Sequence, residues 1–309
     1  MGTELHDIAI VGGGPAGLSA GVWLARYLHS VVLVDSGDPR NWATRGVNGF
    51  LGLPRIRPPE LRELGREECR RYGVTLVDAI VDGVRQLGDE HFALTLENGA
   101  RYEARRLLLA IGLRDNWPDI PGLKHVFGAN AHVCPDCDGF ECRDKKTVVV
   151  GTGRKAVGLA LNLTTWTRDI IICTNGDPPG FDREEYCRKL DALNIPVITE
   201  RVTCLTTSEK RELYSLELAN GMCLDADKLF FTFGQHAADD LGAQLGCDRD
   251  EDGQIIVDDR YHTSVRNVFA AGDIVPGPQL AVTAASDGAM AALAIHKSLV
   301  PEERKLASV

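Results

Sequence analysis

The sequence predicts an α/β protein with two Rossmann-like domains, each a three-layer unit built on a parallel sheet. Two Gly-rich loops, at residues 12–17 and 151–156, each follow a short apolar strand and open a helical pattern. Two further apolar strands, at 106–112 and 228–234, each end on glycine, as at a joint between domains. The 309 residues are enough for two domains that each bury a core.

The positions of the two joints predict that the first domain is discontinuous. The second strand–loop–helix unit lies between the joints. An apolar strand ending in Gly-Asp at 268–273 and an Ala-rich helix at 279–295 follow the second joint. We therefore expect one domain made of residues 1–115 and 238–309, and a second domain made of residues 116–237.

Both Gly-rich loops lie in strand–helix–strand units, which is the context that makes such a loop informative. The elements predicted around the first loop are a strand at 6–11, a helix at 18–28 and a strand at 31–34; those around the second are a strand at 147–150, a helix at 157–166 and a strand at 169–173.

The first loop has every feature of a dinucleotide site. Gly12, Gly14 and Gly17 permit a tight turn, close approach of the backbone to a pyrophosphate, and close helix–strand packing. The helix N-terminus offers N–H groups and the positive end of its dipole to the phosphates. Asp35, at the end of the second strand, suits hydrogen bonds from ribose hydroxyls.

The second loop lacks part of this pattern. Ala156 replaces the third glycine, which is tolerated, but the following strand ends in Thr174-Asn175, with neither an acid for a ribose nor arginines for a 2′-phosphate. Arg154 and Lys155, inside the loop, could approach phosphates instead. The candidate residues of this second nucleotide site are Gly151, Gly153, Arg154, Lys155, Ala156, Thr174 and Asn175.

Cys134 and Cys137 have the CxxC spacing of a redox-active disulfide, in which one thiolate attacks at neutral pH. The alternative is half of a zinc site. Zinc needs four ligands, and the nearest candidates, His132 and Cys142, lack a second well-spaced pair. We therefore expect a redox pair and no metal, with the other seven cysteines packed as free thiols.

The charge balance disfavours two classes of partner. The chain has 34 Lys+Arg against 44 Asp+Glu, a net charge of −10, whereas nucleic acids and anionic membranes favour basic surfaces. No apolar stretch approaches the roughly 20 residues of a membrane span, and residues 1–7 lack the basic start of a signal peptide. We expect a soluble, cytoplasmic protein with neither kind of partner.

The motifs occur in the order GxGxxG, an Ala-x-Gly joint, CxxC-Asp-Gly, GxGxxA, and Phe-Ala-Ala-Gly-Asp followed by Gln-x-x-Val-Thr-Ala-Ala. In this order, and along nearly the whole chain, the sequence resembles the low-molecular-weight thioredoxin reductases, which are two-domain flavoproteins. The resemblance implies an FAD-dependent disulfide oxidoreductase that forms a homodimer. The FAD site that it implies consists of Gly12, Gly14, Pro15, Ala16, Gly17, Asp35, Asn48, Val81, Ala110, Gly112, Gly272, Asp273, Gln279 and Leu280.

The resemblance also assigns parts of the flavin to the last motif. Gly272 and Asp273 hold the ribityl and pyrophosphate region, and the helix that opens at Gln279-Leu280 presents backbone N–H groups to the flavin ring. The physical chemistry agrees, because a helix N-terminus stabilises negative charge on a reduced flavin.

The resemblance gives each residue of the CxxC motif a role. Cys137 takes electrons from the flavin, Cys134 attacks the disulfide of the substrate, and Asp138 is the acid/base that manages the protons of the thiols. Exchange chemistry needs such a division between an attacking and a resolving thiol. Asp136, between the cysteines, is either a source of like-charge repulsion that raises thiol pKa values or a solvent-facing turn residue.

One departure from the family concerns the electron donor. In thioredoxin reductases that use NADPH, a His-Arg-Arg run after the second loop binds the 2′-phosphate, whereas this chain has Cys-Thr-Asn-Gly-Asp-Pro-Pro at 173–179. NADPH is therefore doubtful as the donor. A ferredoxin-type or flavin-linked donor is open, as is another nucleotide at the Gly151 loop, such as NADH or a second flavin.

Three functions are compatible with these motifs. The first is a reductase of thioredoxin-like proteins or other disulfides. The second is an oxidase that forms disulfides in a small dithiol with oxygen as acceptor. The third is a flavin redox sensor without turnover, which an intact CxxC beside Asp138 disfavours.

Overall fold

A computed structural model describes residues 4–181 and 184–306. The chain divides into two compact units: unit 1 consists of Met1–Arg40, Phe50–Arg114 and Gln235–Val309, and unit 2 consists of Asn41–Gly49 and Asp115–Gly234. Residues 41–49 pack with unit 2, although they lie within the stretch 1–115 that the sequence assigned to one domain. Expectations for residues 1–3 and 307–309 lie outside the described residues.

The elements follow in chain order. Before the insertion, unit 1 contains β1 (Leu5–Val11), α1 (Pro15–Arg26), β2 (Val31–Asp35), α2 (Pro58–Arg71), β3 (Thr75–Asp78), β4 (Val81–Gly88), β5 (His91–Leu96), β6 (Arg101–Leu109) and β7 (Leu113–Asp115). Unit 2 contains α3 (Leu123–Val126), β8 (Ala131–His132), α4 (Pro135–Asp138), a 3-10 helix (Gly139–Cys142), β9 (Thr147–Gly151), α5 (Gly153–Leu163), β10 (Ile170–Cys173), α6 (Glu184–Ala192), β11 (Val197–Ile198), β12 (Val202–Thr207), β13 (Leu213–Leu218), β14 (Cys223–Asp225) and β15 (Lys228–Thr232). Unit 1 resumes with β16 (Gln235–Ala237), α7 (Leu241–Gln244), β17 (Val268–Ala270), α8 (Ala281–Leu299) and a 3-10 helix (Glu302–Arg304).

Unit 1 is built on a sheet in the order β3-β2-β1-β6-β5-β4, and β17 also pairs with β6. Strand β6 uses its first half to pair with β5 and its second half to pair with β17. Strands β1, β2, β6 and β17 are parallel neighbours, so their carboxyl ends meet at one edge of the sheet. Gly12, Asp35 and Gly272 therefore lie at the edge where α/β sheets bind ligands.

Both faces of this sheet are buried. Ile8 and Ile10 of β1 belong to a core that includes α1 and α8, whereas Ala9 and Val11 belong to a core on the other face that includes β4, β5 and α7. Continuous apolar strands are typical of parallel sheets that are covered on both sides.

Helices α1 and α8 pack together through small residues. Ala16 and Ala20 of α1 and Ala284 and Ala291 of α8 are buried in the same core. A Cβ atom added to Gly288 of α8 would collide with the backbone carbonyl of Ala16. A side chain at this position would therefore force the two helices apart.

Unit 2 has three layers. Its central sheet is parallel, in the order β11-β10-β9-β15-β8. Phe230 of β15 packs on the side of α5 and α6, whereas Phe231 packs on the side of the antiparallel sheet β12-β13-β14. Both phenylalanines are almost fully buried, which explains why successive residues of β15 are apolar.

The α/β class is confirmed, but several helix boundaries differ from the prediction. Helix α1 begins at Pro15 rather than Leu18, and α5 spans Gly153–Leu163 rather than 157–166. In both cases the last residues of the Gly-rich loop form the first helical turn, which an apolar pattern does not mark. Helix α8 continues to Leu299. Within residues 4–181 and 184–306, no helix combines the length and apolar character that crossing a membrane requires.

Candidate active site

At two positions of the first Gly-rich loop, a Cβ atom would collide with a backbone carbonyl. Gly12 has φ +109°, and a Cβ atom on it would collide with the Ala110 carbonyl. A Cβ atom on Gly17 would collide with the Gly12 carbonyl. The Gly12 N–H donates to the Val34 carbonyl at 2.8 Å, which ties the loop to β2. The turn therefore has the tight packing that the glycine spacing predicted.

The N-terminus of α1 is open at this loop. Gly14 is the N-cap and makes no side-chain capping bond, and a Cβ atom on it would meet no atom within 4 Å. Pro15 occupies the first helical turn, where its missing N–H is not needed. Ala16, next in the chain, is buried under α8. The positive end of α1 thus faces free space that fits a pyrophosphate.

Asp35 is buried at the end of β2, and its carboxylate accepts hydrogen bonds from three donors. Its carboxylate accepts from the Gly37 N–H at 3.1 Å and from Arg62 and Arg66 of α2 at 2.5 and 3.3 Å. The Arg62 Nε also donates to the Gly13 carbonyl at 3.3 Å. Asp35 therefore sits directly beside the Gly-rich loop, where a ribose would follow the pyrophosphate.

Asp273 and Gln279 are joined by Arg40, a residue that the sequence analysis did not single out. The Arg40 guanidinium lies 3.1 Å from the Asp273 carboxylate and donates to the side-chain oxygens of Gln279 and Gln235 at 2.6 and 3.1 Å. The Asp273 backbone carbonyl accepts from Gln254 at 2.8 Å. These contacts fix the strand end and the start of α8 as one edge of the site.

The remaining FAD candidates occupy different places. Gly272 has φ +82°, and a Cβ atom on it would lie 2.8 Å from the Ala16 Cβ. Leu280 is the N-cap of α8 and makes no side-chain capping bond, so the first N–H groups of α8 stay uncapped by a side chain. Ala110 and Val81 are buried, and Gly112 has φ +68°. Asn48 is the exception, because it belongs to unit 2.

The positions and contacts of these residues are compatible with FAD bound to unit 1. The residues that would hold it are the Gly12–Gly17 turn, Asp35, Gly272-Asp273 and the N-terminus of α8. Bound FAD would supply a two-electron carrier for a thiol pair. The disulfide Cys134–Cys137 belongs to unit 2.

Cys134 and Cys137 form a disulfide, with their Cα atoms 5.3 Å apart. Cys134 is the N-cap of α4, and its Sγ accepts a hydrogen bond from the Cys137 N–H at 3.1 Å. A hydrogen bond to sulfur at this position stabilises a thiolate on Cys134 once the disulfide is reduced. Asp136 is exposed, as a solvent-facing turn residue would be.

Asp138 follows the disulfide in the same turn, and its N–H donates to the Cys134 carbonyl at 3.2 Å. Its carboxylate lies 3.2 Å from the Nδ1 atom of His132, which is almost fully buried. The Cys142 thiol donates to the Asp138 carbonyl at 3.4 Å. His132 and Cys142, considered above as zinc ligands, thus both contact Asp138.

Three more polar side chains lie around this turn. The Asn48 Nδ2 donates to the Cys137 carbonyl at 2.9 Å and is 3.5 Å from Glu141. Burial raises the pKa of Cys142 to about 12. Burial also lowers the pKa of Lys228, although the thiol and carboxylates of Cys142, Asp138 and Glu141 act in the opposite direction; the Lys228 Nζ donates to the Ala129 carbonyl at 3.2 Å.

The second Gly-rich loop is covered by the segment that follows β10. The Gly153 N–H, at the start of α5, donates to the Pro179 carbonyl at 2.7 Å. A Cβ atom on Gly180 would lie 3.3 Å from the Gly153 nitrogen, so the covering segment packs directly on the turn. The N–H group that a pyrophosphate would bind is therefore already used.

Two other candidates for the second site, Thr174 and Asn175, also have partners within unit 2. Thr174 is fully buried and donates to the Asp177 carbonyl at 2.5 Å, and the Asn175 side chain accepts from the Val202 N–H at 2.9 Å. Arg154 and Lys155 are exposed in the first turn of α5, whereas Gly151 and Ala156 are buried. The structure brings these residues to one end of the sheet.

Sequence reasoning missed Arg40, Arg62, Arg66 and Pro179, and it considered His132 only as a zinc ligand. Arg62 and Arg66 had a usable signal, because an i, i+4 spacing places them on one face of α2. Arg40 and Pro179 had no signal in the sequence, since no motif links either residue to its partners, which are distant in sequence. All seven cysteines outside the CxxC motif are free thiols, and Cys69, Cys142, Cys173 and Cys247 are packed as expected. Cys204 is only partly buried, and the expectation of packing is wrong for Cys187 and Cys223, which are exposed.

Comparisons with known proteins agree with this geometry. Residues 6–288 match the family model described as pyridine nucleotide-disulphide oxidoreductase. The thioredoxin reductase of Helicobacter pylori is 29% identical over 310 residues, which cover 94% of this chain and 97% of that protein. Among solved structures, HlmI has a TM-score of 0.90 at 35% identity, covering 96% of this chain and 95% of HlmI. An oxidoreductase from Agrobacterium tumefaciens has a TM-score of 0.86 at 30% identity, covering 96% and 99%.

The chain therefore belongs to the pyridine nucleotide-disulphide oxidoreductase family, in which it is a thioredoxin reductase-like, FAD-dependent disulfide oxidoreductase.

Proposed function

We propose that this enzyme passes electrons between FAD and a dithiol or disulfide substrate through Cys134 and Cys137, and that ordinary NADPH is not its electron donor. The family as a whole implies FAD and NAD(P)H binding. The observation that supports a different donor is the hydrogen bond from the Gly153 N–H to the Pro179 carbonyl, which covers the second Gly-rich loop.

Binding of NADPH at this loop carries two costs. The pyrophosphate has to displace the Pro179 carbonyl from Gly153 and move the segment around Gly180. The 2′-phosphate then finds no arginine pair after β10, because Thr174 and Asn175 occupy those positions. A charge-assisted hydrogen bond contributes roughly 1.5–3 kcal/mol, so the loss of two lowers affinity about a hundredfold or more.

The substrate is a disulfide or dithiol that can reach Cys134. Relatives are named thioredoxin reductase, and one is a bifunctional thioredoxin reductase/thioredoxin, so a thioredoxin-like protein is the first disulfide to test. The exposed Asp136 between the cysteines and the net charge of −10 disfavour strongly acidic partners. In this direction a ferredoxin-type or flavin-linked donor supplies the electrons.

The covered loop also supports a second candidate, a dithiol oxidase. If no nucleotide delivers electrons, the substrate dithiol itself is a sufficient electron source. Two thiols are then converted to a disulfide, and their two electrons and two protons convert O2 to hydrogen peroxide. Bound FAD would carry the electrons, and the acid/base next to Cys137 would relay the protons. The same two cysteines serve both directions, because thiol–disulfide exchange is reversible.

Anaerobic stopped-flow absorbance of the FAD-loaded enzyme tests the donor. We expect a dithiol such as dithiothreitol to bleach the flavin rapidly, and NADPH and NADH to bleach it slowly without saturation at micromolar concentrations. Saturable bleaching by micromolar NADPH that is lost in Arg154→Ala would show that the loop charges replace the missing arginine pair, and the proposal would be wrong.

Admission of air to the dithiol-reduced enzyme then separates the two candidates. Rapid return of the flavin absorbance, with one disulfide formed per cycle, identifies the oxidase. Slow return, with rapid reduction of an added thioredoxin-like disulfide, identifies the reductase. No turnover in either direction would contradict both and would favour a redox sensor.

A further inference from the structure

His132 is a buried histidine whose two ring nitrogens have different surroundings. It ends β8 and has a 4% exposed side chain. Its Nδ1 faces the Asp138 carboxylate at 3.2 Å, and its ring lies 5.4 Å from the ring of Phe230. Its Nε2 is buried and has no hydrogen-bond partner among the described residues.

These surroundings determine where a proton is stable. A neutral imidazole with the proton on Nδ1 donates to Asp138 and leaves only an unpaired acceptor at Nε2. An imidazolium has a second N–H at Nε2, and burying a charged donor without an acceptor is strongly unfavourable. These surroundings therefore favour the tautomer with its proton on Nδ1, which directs that N–H at the Asp138 carboxylate.

From this geometry we propose that His132 is a positioning residue: through its Nδ1–H it holds the Asp138 carboxylate in place for proton transfer during thiol–disulfide exchange.

During the exchange reaction, Asp138 accepts one proton and later gives it back. The Cys134 thiolate attacks a substrate disulfide, so that one S–S bond breaks, a mixed disulfide forms and a substrate thiolate leaves. The Cys137 thiol then gives its proton to Asp138 and attacks Cys134, which releases the second substrate thiolate. Asp138 returns the proton to a leaving thiolate. The enzyme dithiol is oxidised and the substrate disulfide is reduced, with no further reactant.

The other titratable groups around Asp138 are Cys142, Glu141 and Lys228. The Cys142 thiol, on the 3-10 helix, has a pKa raised to about 12 and stays protonated at neutral pH. Glu141 is next to Asn48, and Lys228 of β15 donates to the Ala129 carbonyl. Asp138 is the group in this cluster that directly follows a cysteine of the disulfide.

Three variants test the proposal on dithiol-reduced FAD enzyme, so that the outcome does not depend on the electron donor. His132→Asn keeps a hydrogen-bond donor near the Nδ1 position but cannot be protonated. His132→Leu keeps an apolar volume without the donor. Asp138→Asn removes the proton carrier. The rate of exchange is measured from pH 5 to pH 10 with an alkyl disulfide, whose leaving thiolate needs a proton, and with an aromatic disulfide, whose leaving thiolate does not.

We expect His132→Asn to retain the rate and the pH profile of the parent within about threefold. His132→Leu should lose about tenfold to a hundredfold with the alkyl disulfide and shift the pH profile, since a hydrogen bond to a charged group is lost. Asp138→Asn should lose about a hundredfold or more with the same substrate. The aromatic disulfide should respond much less to all three changes.

Two results would overturn the proposal. If His132→Asn is as impaired as His132→Leu, the imidazole itself carries the proton. If His132→Leu leaves the rate and pH profile unchanged, the ring does not position Asp138. Nitrogen-15 NMR of the histidine-labelled parent gives an independent answer if a variant fails to fold. We expect the ring proton of His132 on Nδ1, and an Nε2–H tautomer would contradict the proposal.

Discussion

At the residue scale, the thiols of this protein differ in what surrounds them. Burial raises the pKa of Cys69 to about 11 and that of Cys142 to about 12, so both stay protonated and unreactive at neutral pH. Cys134 is different, because the Cys137 N–H points at its sulfur. Burial thus separates Cys142 from the exchange chemistry, even though it lies only five residues from Cys137.

The assignment of roles within this pair predicts opposite spectra for two variants. Cys134→Ser leaves Cys137, the thiol that the family resemblance assigns to electron exchange with the flavin, without its disulfide partner, so we expect a broad long-wavelength absorption band. Cys137→Ser should lack that band. Both variants should lose disulfide turnover, because exchange requires two sulfurs in sequence.

Cys142→Ala is the matched control for this prediction. It removes a thiol that contacts Asp138, and it should leave the disulfide and its turnover in place. Catalytic disulfide reduction by Cys134→Ser would contradict the assigned roles.

At the scale of elements, the α1–α8 contact supports the first nucleotide site. The same residue, Ala16, follows Pro15 at the N-terminus of α1 and lies under Gly288 of α8. Gly272 also packs on Ala16, so the strand end that precedes Asp273 depends on this contact. Helix packing and the position of the phosphate-binding turn are therefore coupled.

Gly288→Ala should destabilise the protein by about 1–3 kcal/mol, since the new Cβ atom collides with backbone atoms that cannot rotate away. Urea unfolding measures the free energy of unfolding, and FAD released on gel filtration measures retention of the cofactor. We expect both to fall together.

Gly158→Ala provides the comparison for this change. Gly158 lies inside α5, and a Cβ atom on it would meet no atom within 4 Å. Replacement by Ala should stabilise the protein by about 0.5–1 kcal/mol through helix propensity alone. Equal destabilisation by the two changes would show that helix packing is not the cause.

At the scale of the whole molecule, the two Gly-rich loops have become different. In unit 1 the helix N-terminus after Gly14 faces free space, whereas in unit 2 the one after Thr152 is covered by Pro179 and Gly180. The two strand–loop–helix units thus have similar sequences, but only the first leaves its helix N-terminus open to a ligand. The redox pair is carried by the unit whose own loop is covered.

Removal of FAD should therefore affect unit 1 locally. A ligand stabilises the state that binds it, by about 2.7 kcal/mol at a hundred times its dissociation constant. Hydrogen–deuterium exchange of stripped protein should be faster than that of loaded protein at residues 12–17, 35–37 and 272–282. Exchange at residues 151–156 should stay the same, and a larger increase there would indicate that the flavin binds the second loop.

The sequence by itself determined the local chemistry of this protein. Gly17, Asp35 and the two cysteines make the contacts described above with neighbours within a few tens of residues. The α/β class and both nucleotide units follow from the same short-range patterns. These features were predictable because they depend on backbone geometry that particular residue types favour locally.

The tertiary structure alone decided which of these groups are available. Pro179 covers the Gly153 N–H, Arg40 joins Asp273 to Gln279, and His132 turns one nitrogen to Asp138 and buries the other. No motif encodes these contacts, because each depends on how separate elements pack and on which polar atoms burial leaves without water. A buried N–H or carboxylate has to find a partner, and the fold determines which one it finds.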